Sequence, residues 1–361
     1  MRAWANWLSA VVVCCFVGQL HAEYAYEISC DEIPKSEIST KLGVGDPPLE
    51  NRPTIVDLAF NVTEITGIDV RNGRFQFQAY TEFYWCDPRE AFDSALPGET
   101  QMFVGSQALK RQEGMWNPDL SFVNEVSGIE VRRRDYSIRH DGRIRLRGYF
   151  SANLASGFDL RRFPFDSQSL SVQVRSLTWP DDVVQLRIIP GAVGVDQDFE
   201  LAEWAVAGVT AEVQTDSLGA SDAHFDLIEI RTTIDRRVGY YLWKAALPLM
   251  LIVALSFTVF WIPDGLATRI RLSATVMLTI VAYQFALASD LPKIAYMTAF
   301  SAFMTLSFLI VVLSVTVNTI AFYRQKAGDE SIVERSDLVC RWFIPTVYIT
   351  MIALGAYIFL G

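Results

Sequence analysis

Apolar residues are unevenly spread along this chain of 361 residues. Past residue 240 four apolar stretches dominate: Tyr241–Ile262, Leu272–Ala288, Ala295–Phe322 and Trp342–Leu360. Each approaches or exceeds the ~20 residues an α-helix needs to cross about 30 Å of hydrocarbon, so the pattern predicts four membrane helices. Pro248 falls inside the first and Pro345 inside the fourth. Membrane helices tolerate proline where a neighbour re-satisfies the carbonyl it frees. Before residue 238 the period changes to two. Phe75-Gln76-Phe77-Gln78, Ile144-Arg145-Leu146-Arg147, Leu170-Ser171-Val172-Gln173-Val174 and Ile228-Glu229-Ile230-Arg231 alternate, with Gly, Pro, Asn and Asp clusters between such runs. That pattern predicts an antiparallel, immunoglobulin-like β-sandwich over residues 23–237, followed by an all-α four-helix membrane domain over 238–361.

The first 22 residues read as a secretory signal: Arg2, an apolar run from Leu8 to Val17, and a small-residue cleavage site ending at Ala22. Ten apolar residues are too few for a fifth span. Loop charge sets the orientation. Arg269 and Arg271 lie between the first two spans, and Arg324, Lys326, Arg335 and Arg341 between the last two, whereas the loop 289–293 is balanced. Positive loops stay inside. The expected protein is therefore a multi-pass inner-membrane protein whose N-terminal domain and C-terminus lie on the periplasmic or extracellular side.

The second span is the least purely apolar. Arg271, Thr275, Leu278, Ala282, Phe285 and Ser289 are spaced 4, 3, 4, 3 and 4 residues apart and form one stripe of a helix. In lipid such a stripe has two readings. Its hydroxyls can glue helix to helix. Alternatively it lines a pore, with a hydroxyl ring at Thr275 and apolar rings at Leu278 and Phe285 that gate by dewetting. A pore demands several copies of the span.

Charge and cysteines narrow the choice. The net charge of −10 disfavours nucleic-acid binding, which needs a basic surface. After cleavage only His140 and His224 remain, without metal-ligand spacing, and neither a phosphate-cradling glycine motif nor a nucleophile elbow appears. No metal, cofactor or enzyme activity is expected. Cys30 and Cys86 would share an oxidising compartment, where a bridge and two free thiols are both open.

Several segments together resemble the Cys-loop receptor superfamily, particularly its prokaryotic pentameric ligand-gated channels. FDLRRFPFDSQSL at 158–170 resembles the Phe-Pro-Phe-Asp-x-Gln segment at the membrane end of that family's sandwich. Ser156 and Leu170 stand where animal members have the bridging cysteines, so the family's own loop disulfide is absent, as in bacterial homologues. Trp116-Asn117-Pro118-Asp119 with Asn124 is similar to the first binding-loop motif, and Trp85-Cys86-Asp87 to a Trp-x-Asp strand end. RRVGYYLWKAALP at 236–248 resembles the entry to the first span, and TVMLTIVAYQFALASDLPKIAYMT at 275–298 the pore helix and its following loop. The short link between the last two spans is again the bacterial pattern.

The resemblance implies a homopentamer in a lipid bilayer, passing monovalent ions when an extracellular agonist binds between subunits. The alternative is a membrane-anchored ligand sensor that does not conduct. It implies an Asp166–Arg236 ion pair that couples sandwich to pore, joined by a carboxylate near Asp69, with Pro292 stiffening the loop that receives the push. It implies an aromatic ligand box at Tyr80, Trp179 and Phe225. Val123 and Thr215 stand where many members carry aromatics, and acidic positions of an amine-gated relative match Ser121 and Arg175. A cationic Arg175 repels an amine, leaving a carboxylate or a proton open as the agonist. Cation-selective members carry a Glu ring at the inner mouth, where this chain has Ala267 and Thr268. Arg271 on the stripe favours anions, unless it and Arg269 simply snorkel to the cytoplasm as topology signals.

Overall fold

The computed structural model describes residues 30–360 apart from 31, 42–44, 95, 97, 197–200, 218–222, 263–265, 289–290, 292–293 and 329. The predicted signal segment lies outside the described residues. Among the described residues, ten strands form two sheets. One holds β3 (Thr100–Val104), β5 (Glu130–Arg139), β6 (Arg143–Ala155), β2 (Arg74–Cys86), β1 (Thr54–Asp69) and β8 (Val184–Val195) in that spatial order; the other holds β4 (Leu120–Phe122), β7 (Ser167–Ser176), β10 (His224–Arg236) and β9 (Trp204–Ser217). The alternation along β2 explains the layering. Phe75, Phe77, Ala79, Thr81, Phe83 and Trp85 are buried in the interior, with Arg74, Gln76, Tyr80 and Glu82 on the less buried side, where Gln78, Tyr84 and Cys86 are covered as well. Phe122 from the opposite sheet meets Phe77 edge-on at 5.6 Å and Phe150 at 5.9 Å, closing the core between the sheets.

Two features depart from the expected pattern. The strands are not all antiparallel, because β8 pairs parallel with β1. It follows β7 of the other sheet, so it joins the six-stranded sheet by crossing the sandwich rather than through a hairpin. A helix of eight residues, α1 (Ser106–Glu113), follows β3; its length is too short for a periodic signal.

A disulfide joins Cys30 to Cys86, settling the alternative that the spacing left open. Beside it, Arg89 chelates Asp87 at 2.8–2.9 Å and donates to the carbonyls of Lys41 and Asp46 at 2.9 and 3.1 Å. The N-terminal segment is thereby strapped across the end of β2. Gly142 turns β5 into β6 at φ +85° directly against this corner, where a Cβ would sit 2.5 Å from the Asp87 carbonyl.

Four helices long and apolar enough to cross a membrane follow: Tyr241–Trp261, Ala267–Leu287, Ala299–Lys326 and Arg335–Phe359. The first contains a π-helical turn, Tyr241–Ala246, running into α2 (Leu247–Thr258). The others belong to α3 (Leu266–Leu287), α4 (Ala299–Lys326) and α5 (Glu330–Leu360). Helices α3 and α5 begin before the apolar windows read from sequence, because helical backbone continues past the point where charged side chains enter. Leu160 and Phe163, from the loop before β7, are buried in the core of the helical bundle rather than that of the sandwich.

Because the Cys30–Cys86 bridge closes a long segment, Cys86→Ser should cost on the order of 2–5 kcal/mol of stability. Thermal unfolding of the purified protein, with and without reductant, checks this: the native chain should become reductant-sensitive and the variant should not.

Candidate functional site

The loop between β6 and β7 is held from both sides. Its carbonyls at Arg161 and Phe163 accept from the Ala299 and Phe300 N–H groups at 2.9 and 3.1 Å, satisfying donors that the start of α4 cannot satisfy itself. Leu160 N–H donates to the Tyr296 hydroxyl at 3.0 Å. A few residues on, the Asp166 carboxylate takes two bonds from the Arg236 guanidinium, Nε to Oδ1 at 2.8 Å and NH2 to Oδ2 at 3.1 Å. Both side chains are almost wholly buried, at 1% and 5% exposure. Gln168 donates to Oδ2 at 2.6 Å, so the carboxylate's lone pairs are well used.

Arg236 is also enclosed by rings. Its guanidinium carbon lies 4.0 Å from the Trp204 centroid, 5.0 Å from Phe163 and 5.8 Å from Tyr241. Trp204 was not expected from sequence. It faces Arg236 because the β9–β10 register pairs those two residues, and no local motif announces that register. Asp69 does not share the pair as expected. It lines the same small cavity as Arg236, but its carboxylate caps its own turn, accepting from Arg71 N–H, Asn72 N–H and Asn72 Nδ2 at 3.1, 3.1 and 2.7 Å. Those bonds, led by the Asn72 amide, hold its pKa below the usual aspartate value.

The residues expected to bind ligand fall into two groups. Ser121 on β4 and Arg175 on β7 are cross-strand neighbours, and Arg175 lies over the Phe225 ring at 5.8 Å. Phe225 is itself buried, so in this chain its aromatic face is already taken by an arginine. Trp179 is nearby, packed at 5.9 Å on the buried Trp116 and donating from Nε1 to the Asn117 carbonyl at 3.1 Å. Tyr80 is on the other sheet, under Arg147 at 5.5 Å, and burial raises its phenol pKa. One subunit therefore does not bring the three aromatics into a single box.

Along α3, the described stripe residues Arg271, Thr275, Leu278, Ala282 and Phe285 are all exposed, Leu278 and Phe285 at 71% and 78%. The opposite face, Ser273, Ile280 and Leu287, is buried. Hydrogen-bonding glue between helices exists, but on that buried face: Asn318 of α4 donates to Ser273 at 3.2 Å and to the Ser314 carbonyl at 3.0 Å, and Ser314 donates to the Ser256 carbonyl of α2 at 3.2 Å. The hydroxyls of Thr275 and Thr279 bond back to their own helix instead. Arg269 does not snorkel. It is buried, donates from Nε to the Ile262 carbonyl at 2.9 Å and pairs with Asp337 of α5, a partner that lies too far off in sequence to be foreseen. Arg271 stays exposed. Ser289 and Pro292 lie outside the described residues, and among those described no cluster of three or more His, Cys, Asp or Glu could hold a metal ion.

Comparison with known proteins decides the class. Residues 45–238 match the neurotransmitter-gated ion-channel ligand binding domain, and residues 246–348 match the neurotransmitter-gated ion-channel transmembrane region. The chain belongs to the neurotransmitter-gated ion-channel family. It is a subunit of a ligand-gated ion channel in the membrane, and not an enzyme. It is 25% identical to the proton-gated ion channel of Gloeobacter violaceus over 317 residues, covering 87% of this chain and 86% of that one. It is 26% identical to the pH-sensitive chloride channel 2 of Drosophila melanogaster over 262 residues, 69% of this chain and 49% of the relative. It is also 26% identical to the gamma-aminobutyric acid receptor subunit beta-like protein of the same fly over 278 residues, 73% of this chain and 55% of that one. The chain thus spans most of the bacterial relative and about half of each fly protein.

Removing one member of a buried, hydrogen-bonded ion pair strands the other, at a cost of about 3–5 kcal/mol. Asp166→Asn and Arg236→Gln should each abolish or strongly shift activation, and the double variant should lose clearly less than the sum of the two. A double-mutant cycle on activation curves, normalised to surface expression, measures that coupling.

Proposed function

We propose that this chain forms a homopentameric channel of the bacterial type, lacking the family's loop disulfide, in an inner membrane with its sandwich and C-terminus outside. A signal segment, residues 1–22, is removed, residues 23–237 form the ligand domain and 238–361 the channel domain. The stripe Arg271, Thr275, Leu278, Ala282, Phe285 and Ser289 lines the pore. The observation that carries this reading is the division of α3: one face is buried, with Ser273 bonded to α4 and Arg269 to Asp337 of α5, and the other bears an arginine and hydroxyls and is exposed among the described residues. Five copies put Leu278 and Phe285 into two apolar rings that dewet when narrow, closing the pore without a plug.

The agonist binds between subunits, with Ser121, Arg175, Trp179 and Phe225 on one side and Tyr80, carried by the other sheet, on the neighbour's. The proton is the leading candidate. Arg175 already occupies the Phe225 ring and repels amines, and two of the relatives are named for protons or pH. A small carboxylate is the second reading, because Arg175 Nε is buried without a hydrogen-bond partner. Asp166 and Arg236 transmit the movement of β10 to the first membrane helix, with Asp69 and Pro292 on loops that bear on the same junction.

Five guanidinium groups near the inner mouth attract anions, so monovalent anions are the permeant ions. Currents recorded in oocytes during steps to acid pH, across an NaCl gradient, test this. The expected reversal lies near the chloride potential, and Arg271→Glu should move it towards the sodium potential. Reversal near sodium in the unaltered channel would remove Arg271 from the pore.

A further inference from the structure

Proline in a membrane helix leaves a carbonyl that something must satisfy. In the first membrane helix the π-helical turn ends with Leu247 N–H bonded to the Leu242 carbonyl, five residues back, and the next residue is Pro248. In the α-helical register that follows, an N–H at 248 would serve the Lys244 carbonyl, and proline has none. The change of helical register and the proline fall on the same turn, so backbone acceptors are released there together.

The group that reaches them comes from α3. The Tyr283 hydroxyl lies 3.0 Å from the Lys244 carbonyl oxygen and 2.9 Å from that of Ala245, sharing its one proton between them. Tyr283 is half-buried and next to the stripe residue Ala282, turned about 100° around the helix towards α2. A phenol at membrane depth needs an acceptor, and the Lys244 carbonyl, whose α-helical donor Pro248 removes, needs a donor. At the other end of this turn the chain runs straight back through Tyr240 and Gly239 to Arg236. Arg236, its aromatic cage, the π-helical turn and the outer half of α3 thus form one continuous series of contacts.

We propose that Tyr283 is a positioning residue for gating. Its hydroxyl fastens the outer half of the pore helix to the Lys244 carbonyl that Pro248 leaves open and to the adjacent Ala245 carbonyl, so that movement of β10 reaches the pore through the first membrane helix. This rests on the reading of α3 as the pore helix. Were the bond equally strong in both states, its loss would shift nothing. The π-helical turn, where helical register changes, is where the bond would differ between the two states.

The test uses single-channel recording from oocyte patches, with Leu278→Ala supplying openings that need no identified agonist. Tyr283→Phe, which removes one oxygen, should change the ratio of open to closed time by about fivefold, the size of one lost hydrogen bond, with unit conductance unchanged. In a Pro248→Ala channel, where the backbone regains an N–H for the Lys244 carbonyl, the same change should have a clearly smaller effect. An α-hydroxy acid at position 248 lacks the N–H as proline does, and should retain the full Tyr283→Phe effect; it covers the case in which Pro248→Ala does not assemble. Current with an equal Tyr283→Phe effect in all backgrounds, or with none, overturns the tether while leaving the pore reading intact. A Leu278→Ala channel that reaches the surface but never conducts overturns both.

Discussion

A helix that crosses a membrane can show hydrocarbon only what hydrocarbon tolerates, and α3 does not comply. Arg271 and Thr275 share an exposed face with Leu278, Ala282 and Phe285, while the helix's buried face already meets α2 and α4 and, through Arg269, pairs with Asp337 of α5. An arginine on a lipid face is expensive by any scale. Water and further copies of the same helix are the environment that suits this face, and the architecture of the subunit follows from it. In the sandwich Tyr80 lies on one sheet under Arg147 and the Arg175–Phe225 pair lies on the other, so the proposed ligand site draws on two subunits rather than one.

Charge is sorted in the same way. Two arginines are buried at the joints, each with a carboxylate: Arg236 with Asp166 where the sandwich meets the bundle, and Arg269 with Asp337 at the far end of the bundle. Arg269 and Arg341 also donate to the carbonyls of Ile262 and Phe260, at 2.9 and 3.0 Å, where the first membrane helix runs out of internal donors. Buried pairs of this kind add little net stability but are severe when broken, which makes them suited to fixing one arrangement of rigid parts against another. Arg271 has no such carboxylate among its recorded bonds. Among the described residues it reaches only the Ala267 carbonyl one turn back, at 3.4 Å.

The legible and the illegible parts of this molecule divide along a physical line. Period and hydropathy are local, so the alternating runs at 75–78, 144–147, 170–174 and 228–231 all lie on strands, and the four spans lie where apolar length placed them. The stripe of α3 was readable because helical spacing is also local. Partners across long sequence distances were not. Cys30 and Cys86 are 56 residues apart with no framework around them, and only the folded strap brings them together. Trp204 became the ring under Arg236 through strand register, and Asp337 met Arg269 through helix packing. The parallel seating of β8 on β1 needed the whole sandwich. Asp69 shows the converse, for a carboxylate in the right turn spent its oxygens on that turn's own amides. Pro248 announced that a carbonyl would need help, but not that Tyr283 would give it.

The central claim is that α3 has one wet face, and that it is the stripe. Cysteine substitution along α3, in a channel whose Cys340 is replaced by alanine, tests it directly with a charged thiol reagent applied to open channels. Reaction and altered current are expected at Thr275→Cys, Leu278→Cys, Ala282→Cys and Phe285→Cys, and not at Ser273→Cys, Ile280→Cys or Leu287→Cys. Reactivity spread evenly around the helix, or confined to the second set, would contradict a pore lined by this face.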